Sequence, residues 1–108
     1  MGRREQQFGA NEALFRDVNE AVAEAAGRRA TDEPVLFLCE CADEFCAESI
    51  ALTCEQYERV RAVSEQFIVA PDHFLPSVER IVEQNRDHWI VEKFGDAGEV
   101  AEETDPRS

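Results

Sequence analysis

All four cysteines of this 108-residue chain lie within "CECADEFCAESIALTC", residues 39–54, and no other stretch contains one. The spacing is Cys39-x-Cys41, then four residues to Cys46 and seven to Cys54. Thiols clustered in this way hold a metal, pair as a redox couple or fill a core. Side chains two apart in an extended strand emerge on one face, so Cys39 and Cys41 share a side. The polar turn "ADEF" folds the chain back and brings Cys46 towards the same point. Three thiolates make an incomplete tetrahedron, and zinc takes a fourth ligand.

Two residues can supply that ligand. His73, inside the proline-bounded loop "PDHFLP", would complete a Cys₃His set; Cys54 would complete a four-thiolate set. His73 is preferred, because nothing in the loop gives an imidazole a packing role. Cys54 opens a helix, where a buried thiol commonly serves as a small apolar residue. His88 stands behind both, since it begins a strand. The competing uses have weaker support. A Cys39–Cys41 disulfide would be strained, and neither thiol sits at a helix N-terminus that would lower its pKa; Cys54 does. The carboxylates nearby, Glu40, Asp43, Glu44 and Glu48, read as solvated surface in so acidic a chain. No orienting third residue accompanies a Cys46–His73 pair, the zinc-deaminase signature is missing, and no glycine loop cradles phosphate. The reading is that the protein is not an enzyme.

The elements that must position these residues are short. "NEALFRDVNEAVAEAAGRR" has Asn11 as a helix cap and Leu14, Phe15, Val18, Val22 and Ala25 at helical spacing, with Gly27, Arg28 and Arg29 at its end. This amphipathic helix would pack within the domain or against a second copy, so a homo-oligomer through the first helix is one expectation. "VLFLCEC" and "ESIALT" read as strands of a hairpin. "TCEQ" is a capping box that starts a helix at Cys54, whose buried face is Tyr57, Val60 and Val63 or Ser64. "FIVA" is a third strand; "VERIVEQ" fits a helical turn slightly better than a strand; "HWIVEKF" is a final strand. The fold class is therefore α+β: a single small domain at 11–94 with a short antiparallel or mixed sheet and a zinc-hairpin-like cysteine cluster. Residues 1–10 read as a flexible N-terminus, and 95–108 as an acidic tail. A core of that size is marginal, and a metal would usefully staple it.

The formal net charge is −13, with a single lysine, Lys93. Phosphate backbones and anionic lipid surfaces both require clustered cations, so nucleic acid and membrane are excluded as main partners. A basic protein partner is compatible with this charge. Arg3 and Arg4 precede no apolar secretory segment, and "VLFLC" is too short to span a bilayer. The chain is read as cytoplasmic, where thiols stay reduced and clustered cysteines point to metal before disulfides.

The segments "FRDVNE", "FLCEC....C...I.LT..QYE.VR", "F.VAPDH" and "WIVEKFGDAGEVAEETDPR" resemble a group of small actinobacterial proteins of unknown function, from Phe15 to Arg107. That pattern has a CxC pair, a third cysteine and a P-G-H loop, and it implies the metal set Cys39, Cys41, Cys46 and His73. Cys54 is outside it. Asp72 stands where the group has glycine, a change expected to tighten the loop and shift the imidazole. The resemblance implies no activity. Two functions follow from the sequence: a zinc-stabilised interaction or regulatory module with a structural metal, or a thiol-based redox sensor or metal-transfer protein.

Overall fold

The structure, a computed structural model, describes residues 3–26 (3–12 as backbone only), 33–41, 43 and 46–106. The elements are α1 (Arg3–Ala26), β1 (Val35–Leu38), β2 (Ser49–Leu52), α2 (Cys54–Arg61), β3 (Gln66–Val69), β4 (Glu79–Gln84), β5 (Trp89–Lys93) and α3 (Gly95–Glu103). β1 and β2 form an antiparallel hairpin, and β3-β5-β4 form an antiparallel sheet with β5 in the centre. This is the α+β architecture that the mixed order of short segments implies. No described helix is long and apolar enough to cross a membrane.

Alternation builds the hairpin. Ile50 and Leu52 on β2 are buried while Ser49 and Ala51 are exposed, and Phe37 on β1 pairs with Ile50. Phe37 stacks on Tyr57 of α2, with ring centroids 4.5 Å apart. β3 has one unbroken buried run, Phe67 to Val69, because it passes between the hairpin and the rest of the sheet. The backbone joins the two sheets directly: Glu40 N–H donates to Ile68 O at 2.7 Å, just beyond the end of β1.

The start of α2 has the expected capping box. Thr53 Oγ1 accepts from Gln56 N–H at 3.1 Å, and Gln56 Oε1 accepts from Thr53 N–H at 2.9 Å. Replacing Thr53 with Ala removes one of these bonds at a cost of about 1 kcal/mol. A thermal melt of T53A should read this as a midpoint lowered by about 4–8 °C.

Four expectations are corrected. Helix α1 starts at Arg3, well before the cap expected at Asn11. Its packed face is also different. Arg16, Asn19, Ala23 and Ala26 are buried, whereas Leu14 and Val18 are 59% and 41% exposed and Ala25 faces solvent. The apolar stripe failed as a guide because Arg16 and Asn19 find buried partners that outweigh their polarity. The proposed C-terminus at Gly27 to Arg29 lies outside the described residues. "VERIVEQ" is a strand rather than a helical turn: Ile81 pairs with Val91, and a bulge at Val82 breaks the alternation that would have revealed it.

The fourth correction concerns the acidic tail, which forms α3 and enters the core. Gly95, at φ +62°, turns the chain out of β5. Ala97, Gly98 and Ala101 are buried, and a Cβ at Gly98 would lie 3.1 Å from the Lys93 carbonyl. Two buried arginines fasten this end. Arg16 donates to Ala101 O (2.8 Å), Thr104 Oγ1 (3.4 Å) and Ser64 O (2.6 Å), and its guanidinium lies 4.6 Å above the Phe67 ring. Arg61 pairs with Asp105 and, at 3.4 Å, with Glu20. Composition alone suggested a solvated run; small residues at helical spacing and two internal cations place it against α1 instead.

Candidate metal centre

Cys39, Cys41, Cys46 and His73 converge. One ligand atom from each lies within 4.8 Å of all the others. The hairpin end supplies the sulfurs. β1 stops pairing as a strand at Leu38, but Cys39 N–H still donates to Glu48 O at 3.0 Å, so the ribbon persists to its first ligand. A further turn, Cys46 N–H to Asp43 O at 3.1 Å, returns the chain. The sequence-based strand over 35–41 is thus shortened, while the shared side of Cys39 and Cys41 is retained.

The fourth member comes from the β3–β4 loop. His73 N–H donates to Ala70 O at 3.0 Å, closing a turn with Pro71 and Asp72 in its corners. Proline fixes φ near −65° at the first corner, and Asp72 has φ +71°, which together define a type II turn. Such a turn favours glycine at the second corner, where aspartate is only tolerated. With Asp72 in this corner, the His73 imidazole faces the sulfurs. Phe74 packs on Trp89 at 5.6 Å between centroids, and Glu79 accepts from Leu75 N–H at 2.8 Å, so the chain just after His73 is tied to the sheet. Replacing Asp72 with Gly should relieve the left-handed backbone and stabilise by about 1 kcal/mol. The check is a raised melting midpoint with unchanged metal content.

The distances fit a tetrahedral ion. His73 Nδ1 lies 3.5 Å from Cys46 Sγ and 3.6 Å from Cys39 Sγ. Zinc with Zn–S near 2.3 Å and Zn–N near 2.0–2.1 Å sets a tetrahedral sulfur–nitrogen edge of about 3.5 Å and a sulfur–sulfur edge of about 3.8 Å. The backbone is arranged for thiolates: Ala70 N–H donates to Cys39 Sγ at 3.1 Å. Backbone hydrogen bonds at Asp43 and Glu48 likewise favour the ionised forms of Cys41 and Cys46.

Without an ion, the thiols share protons unevenly. The Cys39 thiol donates to Cys41, which brings Cys41 down to about 5, while that same bond and burial push Cys39 up. Cys46 is raised by burial first. Binding of a metal would take the cysteines as thiolates and expel their protons.

Two candidates from the sequence are not in the cluster. Cys54 is buried, with Sγ facing the Ala23 carbonyl at 4.0 Å, where it packs α2 against α1. His88 sits in the β4–β5 turn, its Nε2 bonded to Asn85 Nδ2 at 3.1 Å. It lines a groove of about 200 Å³ with Arg59, Gln56, Val82 and Ile90, to which none of the four cluster residues contributes.

One residue was misread. Glu40 is not solvated surface; it is fully buried. Strand alternation, which puts Cys39 and Cys41 on one side, sends Glu40 to the other, into the core. Its carboxylate accepts from Asn19 Nδ2 (2.9 Å), Tyr57 Oη (2.9 Å) and Ile68 N–H (3.0 Å). Burial pushes the Glu40 carboxyl up, and these three donors oppose that shift. Asn19 also grips Leu38, accepting from its N–H at 2.7 Å and donating to its carbonyl at 2.9 Å. A helix, a strand and a second helix thus hold the peptide between two ligands in one orientation. No protein-family model matches the chain, and no curated protein or solved structure matches it either.

Proposed function

We propose that the protein is a zinc-stabilised interaction module in which the metal is structural. The observation that carries this reading is the Cys₃His cluster with sulfur–nitrogen separations of 3.5 and 3.6 Å, the edge length of a zinc tetrahedron. Cys₃His is a set used by closed structural sites. With four protein ligands the ion has no open position for water, so it holds the fold together and does no chemistry on a substrate. The ligands would join the β1–β2 hairpin to the β3–β4 loop, segments that also meet in the shared core and through the Glu40–Ile68 and Ala70–Cys39 hydrogen bonds. The ion therefore replaces core that so small a chain lacks.

The surface supports interaction as the output. Leu14, Val18 and Leu36 are large apolar side chains left exposed, on a molecule with a formal charge of −13, a combination suited to a basic protein partner. Elemental analysis of natively purified protein tests the metal reading. One zinc per chain is expected, falling to near zero in C46S and unchanged in C54S. A natively purified chain with negligible zinc would end this reading.

A further inference from the structure

The β1–β2 register places Leu38 opposite Ser49. One residue further it sets Cys39 against Glu48, and the backbone hydrogen bond of that pair is present. Beyond that pair the ladder ends and Cys46 N–H turns to Asp43 O, but the Cys41 and Cys46 sulfurs still lie within 4.8 Å of each other. The Cys39 sulfur is equally near, but a Cys39–Cys41 bridge between residues two apart on one strand would be strained.

Access is uneven. Cys39 and Cys41 are 2% and 5% exposed, and Cys39 is further held by the Ala70 amide, whereas Cys46 is half-buried and faces solvent beside His73. From the proximity of the sulfurs and this asymmetry we infer that Cys46 is a site of oxidation by hydroperoxides, that Cys41 resolves it as a Cys41–Cys46 disulfide, and that the metal is thereby released. The inference rests on the proposed metal site and adds its regulation.

The chemistry balances. The Cys46 thiolate attacks the terminal oxygen of the hydroperoxide; an S–O bond forms as the O–O bond breaks, leaving a sulfenic acid and an alkoxide or hydroxide that takes a proton from solvent. The Cys41 thiolate attacks that sulfur, the S–S bond forms and hydroxide departs. Two electrons pass from the two thiolates to the peroxide. The ion, left with only Cys39 and His73, is lost to water.

The test uses the full zinc-loaded chain, hydrogen peroxide and a chromogenic zinc chelator, followed by alkylation and peptide mapping. One zinc should be released per chain together with a Cys41–Cys46 disulfide, Cys39 and Cys54 should be recovered as free thiols, and reductant with added zinc should restore the starting state. C46H keeps a Cys₂His₂ set without the exposed nucleophile, and its release should be at least about tenfold slower. Zinc held against peroxide, release with Cys46 carried to sulfinic acid and no disulfide, a bridge through Cys39 or Cys54, or equal rates in C46H would each overturn the proposal. Should C46H bind no metal, the wild-type map alone decides. Zinc content measured before peroxide separates the two readings: a chain that starts without zinc refutes the structural metal, and one that starts loaded but proves inert refutes only the oxidation.

Discussion

Chelation will unfold this protein. Adding a strong zinc chelator to the metal-loaded chain should abolish its cooperative thermal transition or lower the midpoint by about 20 °C or more, and added zinc should restore it. The size of the effect follows from what the ion joins. The binding free energy of a structural zinc is of order 10 kcal/mol, comparable with the whole stability of a small domain, about 5–15 kcal/mol. The hairpin end that carries three ligands buries Cys39 and Cys41 and, between them, Glu40. Without an ion, three cysteines remain crowded at the margin of the core. C41S should reproduce the chelated state, since it removes the ligand drawn most strongly towards the thiolate. C54S should melt within about 1 kcal/mol of wild type, because its sulfur meets only the Ala23 carbonyl. An unchanged melt on chelation would show that the fold stands without metal.

The second large effect lies away from the sulfurs, at Arg61. Its side chain is fully buried and pairs with Asp105 beyond α3 and with Glu20 of α1, while its Nη1 has no hydrogen-bond partner among the described residues. R61A leaves the Asp105 carboxylate in the interior without its guanidinium, a loss of about 3–5 kcal/mol. The expected measurement is a urea midpoint lowered by a third or more of its wild-type value. The double variant R61M/D105L replaces both charges with apolar groups of similar bulk and should recover most of that loss, which makes the cycle diagnostic of a buried pair. Additive losses instead would assign the effect of R61A to packing.

These two effects have different histories in the sequence. The convergence of Cys39, Cys41, Cys46 and His73 was legible because period-two alternation and a proline-bounded loop are local signals: Cys39 and Cys41 two apart, the return to Cys46, and a histidine with no packing role. The choice of His73 over Cys54 followed from the same local reasoning. The capping box at Thr53 was equally local, and both of its hydrogen bonds form. Glu40 obeyed the alternation too, but a carboxylate in a chain of charge −13 was assigned to solvent, and its partners Asn19 and Tyr57 lie far away in sequence. Arg16 and Arg61 were hidden for the same reason. Each is a buried cation held in part by a carbonyl or carboxylate of α3 or the residues after it, which composition marked as a tail. Along α1, Arg16 and Asn19 are buried with Ala23 and Ala26, and of the predicted stripe Val22 packs against the core while Leu14 and Val18 are exposed, so its hydrophobic pattern marked the packed face only in part. β4 was lost to a single bulge at Val82.

The structural role of the cluster depends on four named atoms surrounding one ion. X-ray absorption at the zinc edge of the natively loaded protein reads that shell directly. The expected spectrum fits three sulfurs near 2.3 Å and one nitrogen near 2.0–2.1 Å, and loses the nitrogen in H73A. A shell of four sulfurs, or one of light atoms only, would contradict the assignment of Cys39, Cys41, Cys46 and His73 as the ligands.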